Sequence, residues 1–266
     1  MQSILFNLPV FERAATAGRS ISPCGEQPGG NRAAAPAAAS AGCGSCREGC
    51  GLSQRVQTVP DGIQRSPLMR AGGFAVFSGV TATPAGSRLF ADAQECARHA
   101  KESFIATSDA EEYRGGRPAR RFLSVSAGTA QSEFSRNAQI IAWLSSLCGA
   151  PVRPTGERGT YTFYSRPGDF LGLHRDIETC DVAVITCLYD EHRAGSRGGV
   201  SRLYPQRRDE PLSWIRAKPR EGAVELRIEP GQTLVMFGGI IPHEILPMGP
   251  GDRRIVSILC YRADSA

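Results

Sequence analysis

From about residue 155 the chain is written as short apolar runs, several alternating strictly with polar residues. "TYTFYS", "FLGLHRD", "VAVITCLY", "VSRLYP", "AVELRIE", "QTLVMFG", "IPHEIL" and "RIVSILCY" follow one another at roughly ten-residue spacing, separated by Gly, Pro and charged residues. A period of two is the signature of a strand with one covered face. No helical stretch is legible between these runs, so the pattern predicts a sandwich or barrel and not a parallel α/β sheet. Upstream, "GGFAVFSGV" and "RRFLSVS" also read as strands. "SRLFADAQECARHAKESF" sets Leu89, Phe90, Ala93, Ala97 and Phe104 near helical spacing. "SEFSRNAQIIAWLSSLCG" reads as an amphipathic helix through Phe134, Ile141, Leu144 and Leu147, closed by Gly149. Helices first and strands afterwards make an α+β domain around a jelly-roll-like core.

Residues 1–68 break this pattern. "SISPCGEQPGGNRAAAPAAASAGCGSCREGCGLSQ" has almost no large apolar side chain and cannot bury enough surface to offset the entropy of ordering. Disorder or loose coil is expected there, ahead of a folded domain at 69–266 with its core at about 155–263. "ILFNLPVF" near the start is a short apolar island that could dock elsewhere. Cys43, Cys46 and Cys50, with Cys24 upstream, lack the paired spacing of a four-cysteine zinc site. Flexible thiols, structural zinc, and redox or cluster chemistry all remain readings of them.

Composition narrows the class. The 266 residues are 41% hydrophobic and 7% aromatic, as in globular proteins, and no apolar run is long enough for a transmembrane helix. The start, "MQSILFNLPVFERAA", has neither the basic region nor the long apolar core of an export signal. The nine cysteines are accordingly expected to be reduced thiols in the cytoplasm. A net charge of +5 with no dense Lys/Arg stripe gives no reason to expect a nucleic-acid partner.

The chemistry is concentrated in few residues. In "FLGLHRDIETC", His174 and Asp176 stand two apart, so on a strand they share a face while Arg175 points away. Alone, H-x-D is no more than a solvated strand end. The chain has only four histidines, however, and His243 sits inside another predicted strand. Two neutral imidazoles and one carboxylate make the facial triad of non-haem Fe(II) oxygenases, leaving positions for a bidentate 2-oxo acid and O2. A 2-oxoglutarate tail then needs a cation, and a guanidinium matches a carboxylate with two parallel hydrogen bonds. Arg254 follows His243 by eleven residues, far enough to turn and enter the next antiparallel strand. Strand parity lets only one of Arg253 and Arg254 face inward, and the apolar Val256 and Ile258 on the same face favour Arg254. His99 and His192 read as surface residues, Trp214 as loop packing, and Arg202 as a hairpin residue with a possible view of the substrate mouth.

"YSRPGDFLGLHRD", "RGGVSRLYP", "PHEILPM" and "GDRRIVSILCY" together resemble the Fe(II)/2-oxoglutarate-dependent dioxygenases of the prolyl-4-hydroxylase-like superfamily, over about residues 155–263. The resemblance implies a double-stranded β-helix (jelly-roll) core with the N-terminal helices packed on it. It implies His174, Asp176 and His243 as iron ligands, Arg254 as the residue binding the distal carboxylate, and Tyr164 and Tyr189 as residues lining the co-substrate pocket. Val256 stands where the family often has a small hydroxyl residue, which points to a tyrosine hydroxyl as the partner of Arg254 at that carboxylate. The implied cofactors and co-substrates are Fe(II), 2-oxoglutarate and O2, with ascorbate as reductant. The acidic ligand Asp176 implies hydroxylation and not halogenation. An amino-acid side chain in a peptide or protein is the implied substrate, with a free amino acid or small metabolite as the runner-up. A non-catalytic jelly-roll binding or adaptor protein is the rival of another class, and the complete ligand set speaks against it.

Overall fold

The computed structural model describes residues 61–155 and 159–264 of the chain. Residues 1–60, with Cys24, Cys43, Cys46, Cys50 and the "ILFNLPVF" island, lie outside the described residues. Folded structure begins earlier than the composition suggested, at α1 (Asp61–Gln64) and α2 (Pro67–Arg70). Ser66 caps α2 by accepting from Met69 N at 3.0 Å, and Ile63, Leu68 and Met69 are buried.

Next come β1 (Phe74–Phe77), α3 (Leu89–Ala97), β2 (Lys101–Ile105) and β3 (Arg120–Ser126). The expected helix therefore stops before "KESF": Phe104 belongs to strand β2, which pairs with β3, and is 61% exposed. The second expected helix is two, α4 (Thr129–Ser135) and α5 (Ala138–Cys148). Asn137 divides them because its side chain accepts from Gln139 N and Ile140 N and so starts a new helix. Gly149 closes α5 at φ +64°, a conformation that glycine adopts without a Cβ penalty.

The strands are β4 (Val152–Pro154), β5 (Thr160–Tyr164), β6 (Phe170–His174), β7 (Val182–Glu191), β8 (Ser201–Leu203), β9 (Val224–Leu226), β10 (Thr233–Met236), β11 (His243–Ile245) and β12 (Arg253–Ala263). A short helix the pattern did not reveal, α6 (Leu212–Ala217), lies between β8 and β9. All pairings are antiparallel, in the order β1-β10-β7-β12-β5-β3-β6-β11-β8-β9, with β2 on β3 and β4 on β12. This is one sheet curled on itself, a jelly-roll core with few helices.

Alternation along each strand sorts side chains to two faces. Tyr161, Phe163, Val182, Val184, Leu259 and Tyr261 face outward and pack with Leu68, Leu89, Phe134, Leu144 and Leu147 of the helices. Tyr164, Val256 and Ile258 face inward, with Phe122, Met248 and Ile245. The helices thus cover the outer face, and the interior of the curl is left for the site. Leu144, with no exposed surface, is central to the outer cluster. Leu144→Ala should lower the unfolding free energy by about 2–5 kcal/mol in a denaturant titration. A loss below half a kilocalorie would show that α5 is not part of the cooperative core.

Candidate active site

Three predicted ligands meet. His174, at the end of β6, lies directly opposite His243, at the start of β11, and the ring centroids are 4.2 Å apart. Asp176 Oδ1 is 3.5 Å from His174 Nε2 and 3.7 Å from His243 Nε2. One ligand atom from each of the three lies within 4.8 Å of the others.

Backbone contacts aim these atoms. His174 Nδ1 is 2.9 Å from the carbonyl of Gly172, and His243 Nδ1 is 2.9 Å from the carbonyl of Ile241. Each Nδ1–H donates to a carbonyl two residues back, which turns the Nε2 lone pair inward. On β6 the register shifts between the pairs His174–His243 and Leu171–Ile245. Three steps on β6 match two on β11, a bulge that lets Leu171 and His174 face the same interior. Burial and the neighbouring His174 hold the His243 imidazole down to about 4, so it is neutral and available as a ligand near pH 7. Burial alone would raise Asp176, yet the hydrogen bond with His174 and the nearby His243 and Arg114 hold its carboxyl below the usual range. Asp176 N donates to Gly238 O at 2.9 Å, and a Cβ on Gly238 would fall 1.8 Å from Asp176 Oδ2. Only glycine leaves space for that carboxylate.

Two arginines that sequence reasoning did not single out brace the ligands, Arg114 through the loop beyond Asp176 and Arg175 through other segments. Arg114 donates to the carbonyls of Asp176, Ile177 and Cys180 and pairs with Asp181 at 3.0 Å. Arg175, between the two ligands, points away as expected but is buried, not solvated. It donates to five carbonyls, those of Glu112, Tyr113, Arg208, Glu210 and Ile240. Burial pulls its guanidinium down to about 10. No motif shows this, because the acceptors are main-chain atoms of three separate segments.

Of the two candidate arginines, Arg254 is the one that faces inward. Arg254 is 2% exposed and faces the interior, whereas Arg253 lies on the outer side and is exposed. Tyr164 is directly across from Arg254 and also buried. Burial raises its phenol, so it stays protonated. Tyr189 is the correction. β7 carries one extra residue, because Ile255 pairs with Tyr189 while Val256 pairs with Cys187, leaving Leu188 unmatched. That bulge reverses the alternation. Tyr189 turns to the face opposite Arg254, stacks with Phe90 at 6.3 Å and donates to Glu191. With Phe90, Arg253, Tyr164 and Arg254 it lines a cavity of about 340 Å³ that none of the three ligand residues lines.

Other expectations also change. Cys180 and Cys260 form a disulfide, against the all-thiol expectation, and among the described residues Cys96, Cys148 and Cys187 are free. The spacing of 80 residues hid this pair, which the curl of the sheet brings together beside Asp176. Cys180 Sγ lies 3.6 Å from Asp176 Oδ2. Arg202 pairs with Glu225 and Glu244 on the outer face and does not line the interior. Trp214 is 64% exposed on α6, so it is not packed. His99 is exposed as expected, and so is His192, although its ring reaches the buried Asp190. No helix among the described residues is long and apolar enough to cross a membrane.

No family model matches the chain, and no curated protein matches it. Solved structures do. AviO1 from Streptomyces viridochromogenes Tue57 aligns with a TM-score of 0.54 and 17% identity, over 77% of this chain and 93% of that one. The epimerase SnoN in complex with Fe3+, alpha ketoglutarate and nogalamycin RO aligns with a TM-score of 0.51 and 12% identity, over 72% and 79%. HygX from Streptomyces hygroscopicus, with nickel and 2-oxoglutarate bound, gives 0.50 and 12%, over 72% and 83%. The chain has the fold of 2-oxoglutarate-dependent oxygenases.

The residues fit that equipment. Two imidazoles and a carboxylate converge with inward lone pairs, a donor set suited to a divalent first-row metal. Arg254 Nη1 is buried without an aligned hydrogen-bond partner among the described residues, and the buried Tyr164 lies directly across from it. A buried guanidinium N–H and a phenol hydroxyl side by side are what a carboxylate would satisfy.

His174→Ala, Asp176→Ala and His243→Ala should each cut Fe(II) retention after desalting by tenfold or more, because two ligands hold the ion weakly. Gly238→Ala should do the same through displacement of Asp176. Full iron content in any of the three ligand variants would remove that residue from the site.

Proposed function

We propose that the protein is an Fe(II)- and 2-oxoglutarate-dependent dioxygenase that hydroxylates an amino-acid side chain, within a peptide or protein in preference to a free amino acid. One observation carries this reading: a His-Asp-His cluster and a buried arginine with one N–H left without an aligned hydrogen-bond partner occur in a single jelly-roll interior. A scaffold kept only for binding has no need of either. The resemblance of the four motifs to prolyl-4-hydroxylase-like enzymes supports an amino-acid substrate, and ascorbate is the expected reductant.

The chain's own groups have separable roles. His174 and His243 offer Nε2 atoms aimed by their backbone hydrogen bonds, and Asp176 offers the carboxylate that completes a facial set. Arg254 takes the distal carboxylate of 2-oxoglutarate, and the protonated Tyr164 donates to the same group. The apolar wall of Val256, Ile258, Ile245 and Met248 keeps water from the buried end. The bound iron and 2-oxoglutarate supply the oxidising power for an unactivated C–H bond, with succinate and CO2 as co-products.

Incubating candidate peptides and free amino acids with the protein, Fe(II), ascorbate and 2-oxoglutarate should give succinate and a product heavier by one oxygen atom. Absence of succinate under all conditions would sink the enzyme reading, whereas succinate with only free amino acids modified would select the smaller substrate. The anchor has its own test. Arg254→Ala leaves the ligand carboxylate buried without its charge partner, a loss of about 3–5 kcal/mol, so the apparent KM for 2-oxoglutarate should rise roughly a hundredfold or more at unchanged iron content. Arg254→Lys should also be poor, because an ammonium cannot reproduce the fork. Arg253→Ala, on the outer face, should change KM little. The reverse pattern would mean that the inward assignment along β12 is off by one.

A further inference from the structure

One buried carboxylate has no part in holding a metal. The Asp190 side chain has no exposed surface, and three basic groups surround it. Its Oδ1 is 3.1 Å from Arg254 Nη1, its Oδ2 is 2.7 Å from Arg227 Nη1, and its Oδ2 is 3.2 Å from His192 Nδ1. Arg227 is fixed further by the carbonyls of Ser196 and Gly198, and Arg254 by the carbonyl of Ile228. Asp190 stands here because of the β7 bulge. With Leu188 unmatched, the inward sequence runs Ala183, Ile185, Cys187 and then Asp190, where uninterrupted alternation would have placed Tyr189. Bulges characteristically re-aim a side chain in this way.

A guanidinium stripped of water with no counter-ion is strongly unfavourable. Asp190 supplies that counter-ion. Its oxygen is nevertheless out of line with Arg254 Nη1, which keeps no aligned partner among the described residues and stays available to a second carboxylate. Two carboxylates sharing one guanidinium repel each other.

We propose that Asp190 is a positioning residue that acts as an internal counter-ion, holding the empty Arg254 anchor in place and lowering its affinity for the ligand carboxylate so that the co-substrate binds reversibly. The proposal rests on the reading that Arg254 receives the tail of a 2-oxo acid. The two guanidiniums of Arg227 and Arg254 against the one carboxylate of Asp190 leave a net positive charge that matches a single ligand carboxylate.

Asp190→Asn keeps the shape and the acceptor oxygen for Arg227 but removes the charge. On the full chain loaded with Mn(II), calorimetry should show 2-oxoglutarate binding roughly tenfold tighter than to wild type. The melting temperature of the metal-free, ligand-free protein should fall. In a double-mutant cycle on that melting temperature, Asp190→Asn should cost clearly less in an Arg254→Met background than in wild type. Weaker binding by Asp190→Asn, or an uncoupled cycle, overturns the proposal. Should Asp190→Asn fail to fold alone, the double variant, which has one net positive charge like wild type, must fold; failure of both also overturns it. If wild type does not bind 2-oxoglutarate at all, the functional reading falls, and the stability cycle by itself decides whether Asp190 is the counter-ion.

Discussion

His174 directly opposite His243 on antiparallel β6 and β11 is the contact on which the site depends. Facing residues of such a pair hold their Cβ atoms about 5 Å apart on one face, which is close enough for two imidazoles to meet one ion. Any slip by one residue would send one ring through the sheet. The rest of the local structure protects that register. The bulge near Gly172 brings His174 to the interior, the two carbonyls orient the rings, and Asp176 is tied to Gly238 two residues beyond the strand.

Arg175 holds this arrangement from behind. A buried guanidinium with no ion-pair partner among the described residues is ordinarily unfavourable, and its depressed basicity shows the cost. Five carbonyl acceptors offset that cost, and they come from the stretches around Glu112–Tyr113, Arg208–Glu210 and Ile240. The residue between the two ligands thus ties three chain segments to the strand that carries them. Arg114 does the same for the loop from Asp176 to Asp181. Neither arginine touches the triad's ligand atoms, and both restrict where Asp176 can go.

What the sequence made legible follows from the range of each signal. Period-two alternation is local, so all eight C-terminal strands and the inward choice of Arg254 over Arg253 could be read from it, whereas the triad needed the scarcity of histidines and the resemblance of the four motifs. Tyr189 could not, because a bulge is a property of two strands and the extra residue shows only against β12. The helix break at Asn137 was legible in principle, since Asn is a strong N-cap, but the apolar pattern runs through it. Strand β2 reads as helix because "KESF" continues a helical spacing, and its pairing with β3 decides otherwise. The cysteine pair needed the closed curl, and the arginine clamps needed carbonyls that no side-chain pattern encodes.

Charge accounting joins the two ends of the interior. The triad contributes one negative charge through Asp176, its imidazoles being neutral as metal ligands, and a divalent cation brings that end to one net positive charge. At the other end, Arg227 and Arg254 against Asp190 again leave one positive charge. A ligand lying between them is best matched when it carries one negative charge at each end, since an unpaired buried charge is expensive. Under the proposed function a 2-oxo dicarboxylate would have that distribution, with its distal carboxylate facing Arg254. A 2-oxo monocarboxylate would leave the anchor unbalanced. Without Asp190 the anchor would carry two positive charges, and the same dianion would leave an excess. On the proposed reading, the bulge that turns Tyr189 outward and Asp190 inward would match the charge around Arg254 to a single distal carboxylate.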